Sequence, residues 1–131
     1  MNAFLVDLEN KPGTLARVTE AIAKKGVNLT SASGTQCDSG GRLAITTDND
    51  AATRTALGEI KATFSEKEIV EASLRHEAGS LAKAARRLAD AGVNIEAIAP
   101  MGMKGNDITV GFITDNPAKA RSALQEVAAS R

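Results

Sequence analysis

The side chains able to do chemistry are few: one histidine, His76, one cysteine, Cys37, and 16 acidic residues spread along 131 positions. Catalysis needs nucleophile, base and electrophile to converge, and these residues offer no such constellation. Cys37 has no second cysteine to bridge and no histidine near it in sequence, so neither a disulfide nor an activated thiolate is expected. His76 stands in a turn and reads as an ordinary loop residue. No metal-ligand spacing is present, and Gly13 stands alone rather than in a G-x-G-x-x-G phosphate loop. The expectation is a protein that is not an enzyme, with no catalytic residue, metal or cofactor.

What recurs is a longer pattern that sets turns around small and polar residues. Asn10 to Leu29, NKPGTLARVTEAIAKKGVNL, returns as His76 to Ile95, HEAGSLAKAARRLADAGVNI. Gly13 aligns with Gly79, Leu15 with Leu81, and Gly26-Val27-Asn28 with Gly92-Val93-Asn94, all at one offset. An unbroken offset means a duplicated structural unit. Each copy spells a strand, a tight glycine turn, an amphipathic helix of about four turns, a glycine stop and a second strand. Thr14 and Ser80 stand where N-cap hydroxyls are expected. Leu15, Val18 and Ile22, and in the second copy Leu81, Ala85 and Leu88, recur at three to four residues and predict one buried stripe per helix.

The elements around these turns follow by alternation. Phe4–Leu8 and Val70–Leu74 have the two-residue period of half-buried strands. Leu29–Cys37 and Ile95–Met103 read as second strands, with Pro100 marking an edge or bulge. Hairpins at 38–41 and 104–107 lead to third strands, Arg42–Thr47 and Ile108–Thr114. Asp48-Asn49-Asp50 and Asp115-Asn116-Pro117 start second helices, whose apolar faces match Leu57 and Ile60 with Leu124 and Val127. Residues 63–68 predict a fourth strand for the first copy, and the second copy has no counterpart. The fold class is therefore α+β: two tandem ferredoxin-like βαββαβ units, 1–67 and 68–131, each an antiparallel sheet with helices on one face, the second without its last strand.

Composition narrows the partners. Basic and acidic residues balance at 16 each, and tryptophan and tyrosine are absent. Phosphate backbones need a basic surface and single strands need stacking rings, so no direct nucleic-acid partner is expected. One cysteine, no apolar run of membrane-spanning length and no leader predict a cytoplasmic protein with no membrane span.

On Asn10-Lys11-Pro12-Gly13-Thr14-Leu15 with Gly26-Val27-Asn28-Leu29, and on His76-Glu77-Ala78-Gly79-Ser80-Leu81 with Gly92-Val93-Asn94-Ile95, the chain resembles a tandem pair of ACT domains. These are small amino-acid-sensing modules found on enzymes of amino-acid metabolism, and the resemblance covers roughly residues 3–127. It implies that a free amino acid lies at an interface between two such units, held by the turn after strand one and by strand two of a neighbour. The implied ligand-binding residues are Asn10, Lys11, Pro12, Gly13, Thr14, Leu15, Asn28 and Leu29. Their counterparts are His76, Ala78, Gly79, Ser80, Leu81, Asn94 and Ile95. Turn amides with the helix dipole suit an α-carboxylate, and Asn10 and Asn28 offer both donors and acceptors. Asparagines hold these two positions in similar serine-sensing members, yet the histidine those sensors carry five residues before the glycine is Leu8 here and Leu74 in the second copy. Ala78 replaces the turn proline and His76 answers Asn10, so the two sites are not chemically equal. The implied partners are an enzyme or regulator that reads occupancy, and a second copy in a homodimer. The alternative is a ligand-free interaction module that oligomerises through its sheet edges.

Overall fold

A computed structural model gives the backbone of residues 1–37 and 39–129, with side chains through residue 125. Two sequence expectations, Asp38 in the first hairpin and the apolar role of the Val127 side chain, lie outside the described residues. The chain divides into two compact units, Met1–Lys67 and Glu68–Arg131.

The first unit contains β1 (Asn2–Leu8), α1 (Thr14–Ala23), β2 (Leu29–Cys37), β3 (Gly40–Thr47), α2 (Asp50–Glu59) and the opening residues of β4 (Phe64–Arg75). Its strands lie in the order β2-β3-β1-β4, the antiparallel ferredoxin-like arrangement. Phe4 opposes Ile45 and Leu8 opposes Gly41. Alternate strand residues Phe4, Val6, Leu43 and Ile45 meet Val18 and Ile22 of α1 and Ala56 and Leu57 of α2 in one core. Both helices thus cover the same sheet face, and each large apolar side chain buried there contributes about 1.5–3 kcal/mol. β1, between β3 and β4, is buried on both faces, Ala3 and Leu5 as well as Phe4 and Val6.

The second unit holds the rest of β4, then α3 (Ser80–Asp90), β5 (Ile95–Lys104), β6 (Asp107–Thr114) and α4 (Pro117–Ala129). Its order is β4-β6-β5. Val70, Ala72, Leu74, Val110 and Phe112 pack with Ala84, Leu88, Ala120 and Leu124. The pairing of β5 shifts between Ile95 and Ala97, where β2 shifts between Leu29 and Ser31, so the irregularity is duplicated with the sequence. A second shift follows between Pro100 and Gly102 at this edge strand, next to a residue that has no amide to donate. The strands expected at 63–68 and 70–74 are one continuous strand, and among the described residues none follows α4. Asn49 accepts a hydrogen bond from the Ala52 amide at 3.0 Å, and Asn116 one from the Lys119 amide at 3.1 Å, each capping its helix.

The helix stripes differ from the periodic reading. Val18, Ile22 and Leu88 are buried as expected, but Leu15 is 52% exposed and Leu81 46% exposed. Both leucines sit in the first turn, next to the loop, and neither belongs to the core of its unit. In α3 the buried residue is Ala84, while Ala85 is only partly covered.

Candidate functional site

The turn between β1 and α1 is tied to itself. The Lys11 amide donates to the Glu9 carbonyl at 2.9 Å, and the Lys11 ammonium meets the Glu9 carboxylate at 2.9 Å. The hydrogen bond and charge of Lys11 hold the Glu9 carboxyl below its ordinary range. Thr14 is not the cap that its type and place predict. Its hydroxyl donates backwards, to the Glu9 carbonyl at 3.0 Å and the Lys11 carbonyl at 3.3 Å. The N-cap is Gly13, at φ 93° and ψ −10°, and no side chain accepts from the first amides. The second unit repeats the arrangement: Gly79 caps α3 at φ 90° and ψ −10°, again with no side-chain acceptor, so Ser80 is not the cap either. A cap residue ordinarily adopts extended backbone and offers a side-chain oxygen. The left-handed glycine does neither, so no side chain satisfies the first-turn amides in either unit; in the second, the Ser80 amide donates to the Glu77 carbonyl instead.

In the first unit the turn forms one wall of an open groove of about 640 Å³. Lys11, Pro12, Gly13 and Thr14 line one side, and Ile60, Lys61, Ala62 and Thr63 the other. Arg17, one turn into α1, crosses the groove and donates to the Ile60 carbonyl at 2.6 Å. This places a cation on the carbonyl end of α2, where the helix dipole favours it. Leu8, which lines the groove, also packs against the core.

The structure thus gathers Lys11, Pro12, Gly13 and Thr14 of the sequence-derived candidates. Asn10, Leu15, Asn28 and Leu29 lie outside this lining. Asn10 and Asn28 are exposed, and Leu29 is half-buried. Asn28 is held by its backbone: its amide donates to the Asp48 carboxylate at 3.1 Å and its carbonyl accepts from the Asp48 amide at 3.1 Å. Asn94 is clamped in the same way by Asp115, at 2.9 and 3.2 Å. In both units this reciprocal clamp fixes the start of the second strand and leaves the asparagine side chain in solvent. In the second turn the His76 amide donates to the Asn106 carbonyl at 2.8 Å and the Ser80 amide to the Glu77 carbonyl at 3.3 Å. His76, Ala78, Gly79 and Leu81 are exposed there, as is Asn94, while Ser80 and Ile95 are half-buried. The groove described in the second unit, about 570 Å³ between α3 and α4, involves none of the turn candidates.

Sequence reasoning missed Arg17 and Lys61. Arg17 lies off the apolar stripe of α1, where a charged residue ordinarily faces solvent. Lys61 follows α2 as Gly92 follows α3, one residue past the cap, and a lysine in that glycine position was the available signal. Cys37 is exposed, and hydrogen bonding with Ser39 lowers its thiol below the ordinary value. Among the described residues no three histidine, cysteine, aspartate or glutamate side chains gather as a metal site.

The family model described as ACT domain matches residues 3–62. Residues 3–62 form an ACT domain. The helix start with its left-handed glycine, the exposed leucine and the groove all belong to that ACT domain. Among solved structures, protein BT0572 from Bacteroides thetaiotaomicron is 27% identical, with a TM-score of 0.80 over 95% of this chain and 86% of that one. The ligand-free regulatory subunit of aspartate kinase from Thermus thermophilus is 22% identical, with a TM-score of 0.70 over 96% of this chain and 88% of its own. The corresponding subunit from Thermus flavus is 20% identical, with a TM-score of 0.65 over 96% and 90%. At that identity the likeness to the aspartate kinase subunits is one of fold. No curated protein matches the chain. No helix among the described residues is long and apolar enough to cross a membrane.

Proposed function

We propose that this chain is a non-catalytic regulatory protein that binds a small free amino acid at its ACT turn and passes the occupancy to a partner enzyme or regulator. The carrying observation is the open N-terminus of α1: a left-handed glycine cap with no side-chain acceptor, facing a groove. An α-carboxylate supplies the missing acceptor, and the helix dipole favours its charge. The ACT domain at 3–62 and fold neighbours that are regulatory subunits of aspartate kinase support this reading.

The remaining parts are proposals of the same kind. Residues 68–131 are a second ACT-type unit, because the turn, cap glycine and exposed leucine recur there at one offset. The chain is cytoplasmic and acts as a homodimer, in which a neighbouring chain completes the ligand's surroundings. Asn10 and Asn28 bind the ammonium and side chain, with Leu15 and Leu29 as apolar contacts; His76, Leu81, Asn94 and Ile95 are their counterparts. Signalling follows from population shift: a ligand favours one arrangement only by its differential affinity, typically about 1–3 kcal/mol of coupling. Calorimetric titration of an Asn10→Ala/Asn28→Ala double variant tests the assignment. Binding is lost if these side chains hold the ligand, and unchanged affinity contradicts their role.

A further inference from the structure

We propose that α1 of one chain packs antiparallel on α3 of a second copy, so that the first unit of each chain meets the second unit of its partner. The inference rests on the homodimer of the sensor reading and names its contact, and it is tested without any ligand.

One flank of each helix is apolar and open. Leu15, Thr19 and Ala23 follow one another at four-residue steps along α1, and Leu81, Ala85 and Ala89 do so along α3, so each trio shares a face beside the core-facing stripe. Leu15 and Leu81 are 52% and 46% exposed, Ala23 and Ala89 are exposed, and Thr19 and Ala85 are half-buried. The Thr19 hydroxyl donates to the Leu15 carbonyl of its own helix at 3.0 Å, so it can be covered without losing a hydrogen bond.

Size and charge name the occupant. With Thr19 opposite the partner's Ala85 in an antiparallel pair, Leu15 faces the partner's Ala89 and Ala23 faces the partner's Leu81. Each leucine then meets an alanine, which fills the contact without strain; parallel helices would set leucine on leucine and alanine on alanine. Glu20 borders this face of α1, and the duplicated position in α3 is Arg86, both exposed. A pair of α1 helices would set Glu20 against Glu20, and a pair of α3 helices Arg86 against Arg86, whereas α1 on α3 joins opposite charges. Within its own helix Arg86 meets Asp90 only at 3.8 Å, both side chains largely exposed, a weak tie. One turn further on, Lys24 falls beside the partner's Ala82 and does not bias the choice. A two-fold axis repeats the contact with the helices exchanged and closes the dimer. The pairing lays Leu15 and the Gly13 turn beside the end of the partner's α3, from which Asn94 and Ile95 follow, and Leu81 beside the end of α1, from which Asn28 and Leu29 follow. The apolar ligand contacts of the sensor reading thus lie where two chains meet.

The test is sedimentation velocity of the full chain over a concentration series, at low and high salt. The unmodified chain should form a reversible dimer. Glu20→Arg and Arg86→Glu each set like charges at both contacts and should weaken that dimer about tenfold at low salt, less at high salt. Mixed in equal amounts, the two variants should form a heterodimer as tight as the unmodified dimer, because every contact then joins opposite charges; the double variant should dimerise equally well. Both positions are exposed, so each variant should fold with an unchanged melting temperature below the association range. Leu15→Ala and Leu81→Ala should also weaken association about tenfold, an effect that unfolding of the dissociated chain does not register. A monomer at every concentration overturns the inference, as does a dimer that neither charge variant weakens, or one that mixing fails to restore. Amino-acid binding by a chain that stays monomeric overturns the inference and leaves ligand sensing standing.

Discussion

Replacing Gly13 by alanine isolates the backbone feature on which the site depends. Gly13 has φ 93°, and a Cβ built on it meets nothing within 4 Å. The cost is therefore conformational rather than steric. Holding an L-residue in left-handed backbone costs about 1–2 kcal/mol, and less for asparagine, whose side chain bonds locally. For a unit of this size that corresponds to a fall of roughly 5–15 °C in melting midpoint. Urea unfolding with far-ultraviolet dichroism gives the number, the slope being unchanged if only the native state is strained. Gly13→Asn should lose about half as much. Gly79→Ala, at φ 90° with equally open surroundings, should match Gly13→Ala in its own unit. A loss under about 0.3 kcal/mol refutes the left-handed cap. A loss beyond about 4 kcal/mol refutes the open space around it, since that magnitude belongs to clashes and buried defects.

Two other outcomes follow from the packing and charges. Glu66 accepts both guanidinium bonds of Arg54, at 2.7 and 2.8 Å, and one from the Asn2 amide group at 2.7 Å, which bring its pKa down from 4.5 to about 2. A lowered folded pKa stabilises above pH 4.5 and is lost as pH falls towards 2. Because Arg54 is half exposed, solvent screening leaves about 1 kcal/mol of this, so Glu66→Gln should cost that much at pH 7 and only a small fraction of it near pH 2. A difference equal at both pH values contradicts the pairing. Leu88→Ala, at a fully buried site, should cost about 2–5 kcal/mol, whereas Leu81→Ala should stay within about 0.5 kcal/mol in unfolding experiments. Equal costs would refute the exposure of the first turn.

Much of the fold is legible because alternation and helical spacing report burial directly. Strand β2 has the bounds that its pattern predicts, the two asparagine caps fall where Asp-Asn pairs predict them, and Pro100 marks its bulge. The stripe reading fails at Leu15 and Leu81, because spacing gives the direction of a side chain and not whether anything lies opposite it. Thr14 misleads in a related way: a hydroxyl beside a helix start is a cap only if the preceding backbone is extended, and Gly13 is left-handed. The groove was not legible at all. Its far wall comes from the turn after α2, more than 40 positions from Gly13, and Arg17 and Lys61 look like solvated charges until the fold brings them beside it.

The proposal that this protein senses an amino acid is tested most directly by thermal shift of the purified chain against each of the twenty amino acids at millimolar concentration. A ligand that binds only the native state at a hundred times its dissociation constant stabilises it by about 2.7 kcal/mol. The account predicts a rise in melting temperature for one amino acid or one chemically related set, abolished in the Asn10→Ala/Asn28→Ala variant. No shift with any of the twenty contradicts it.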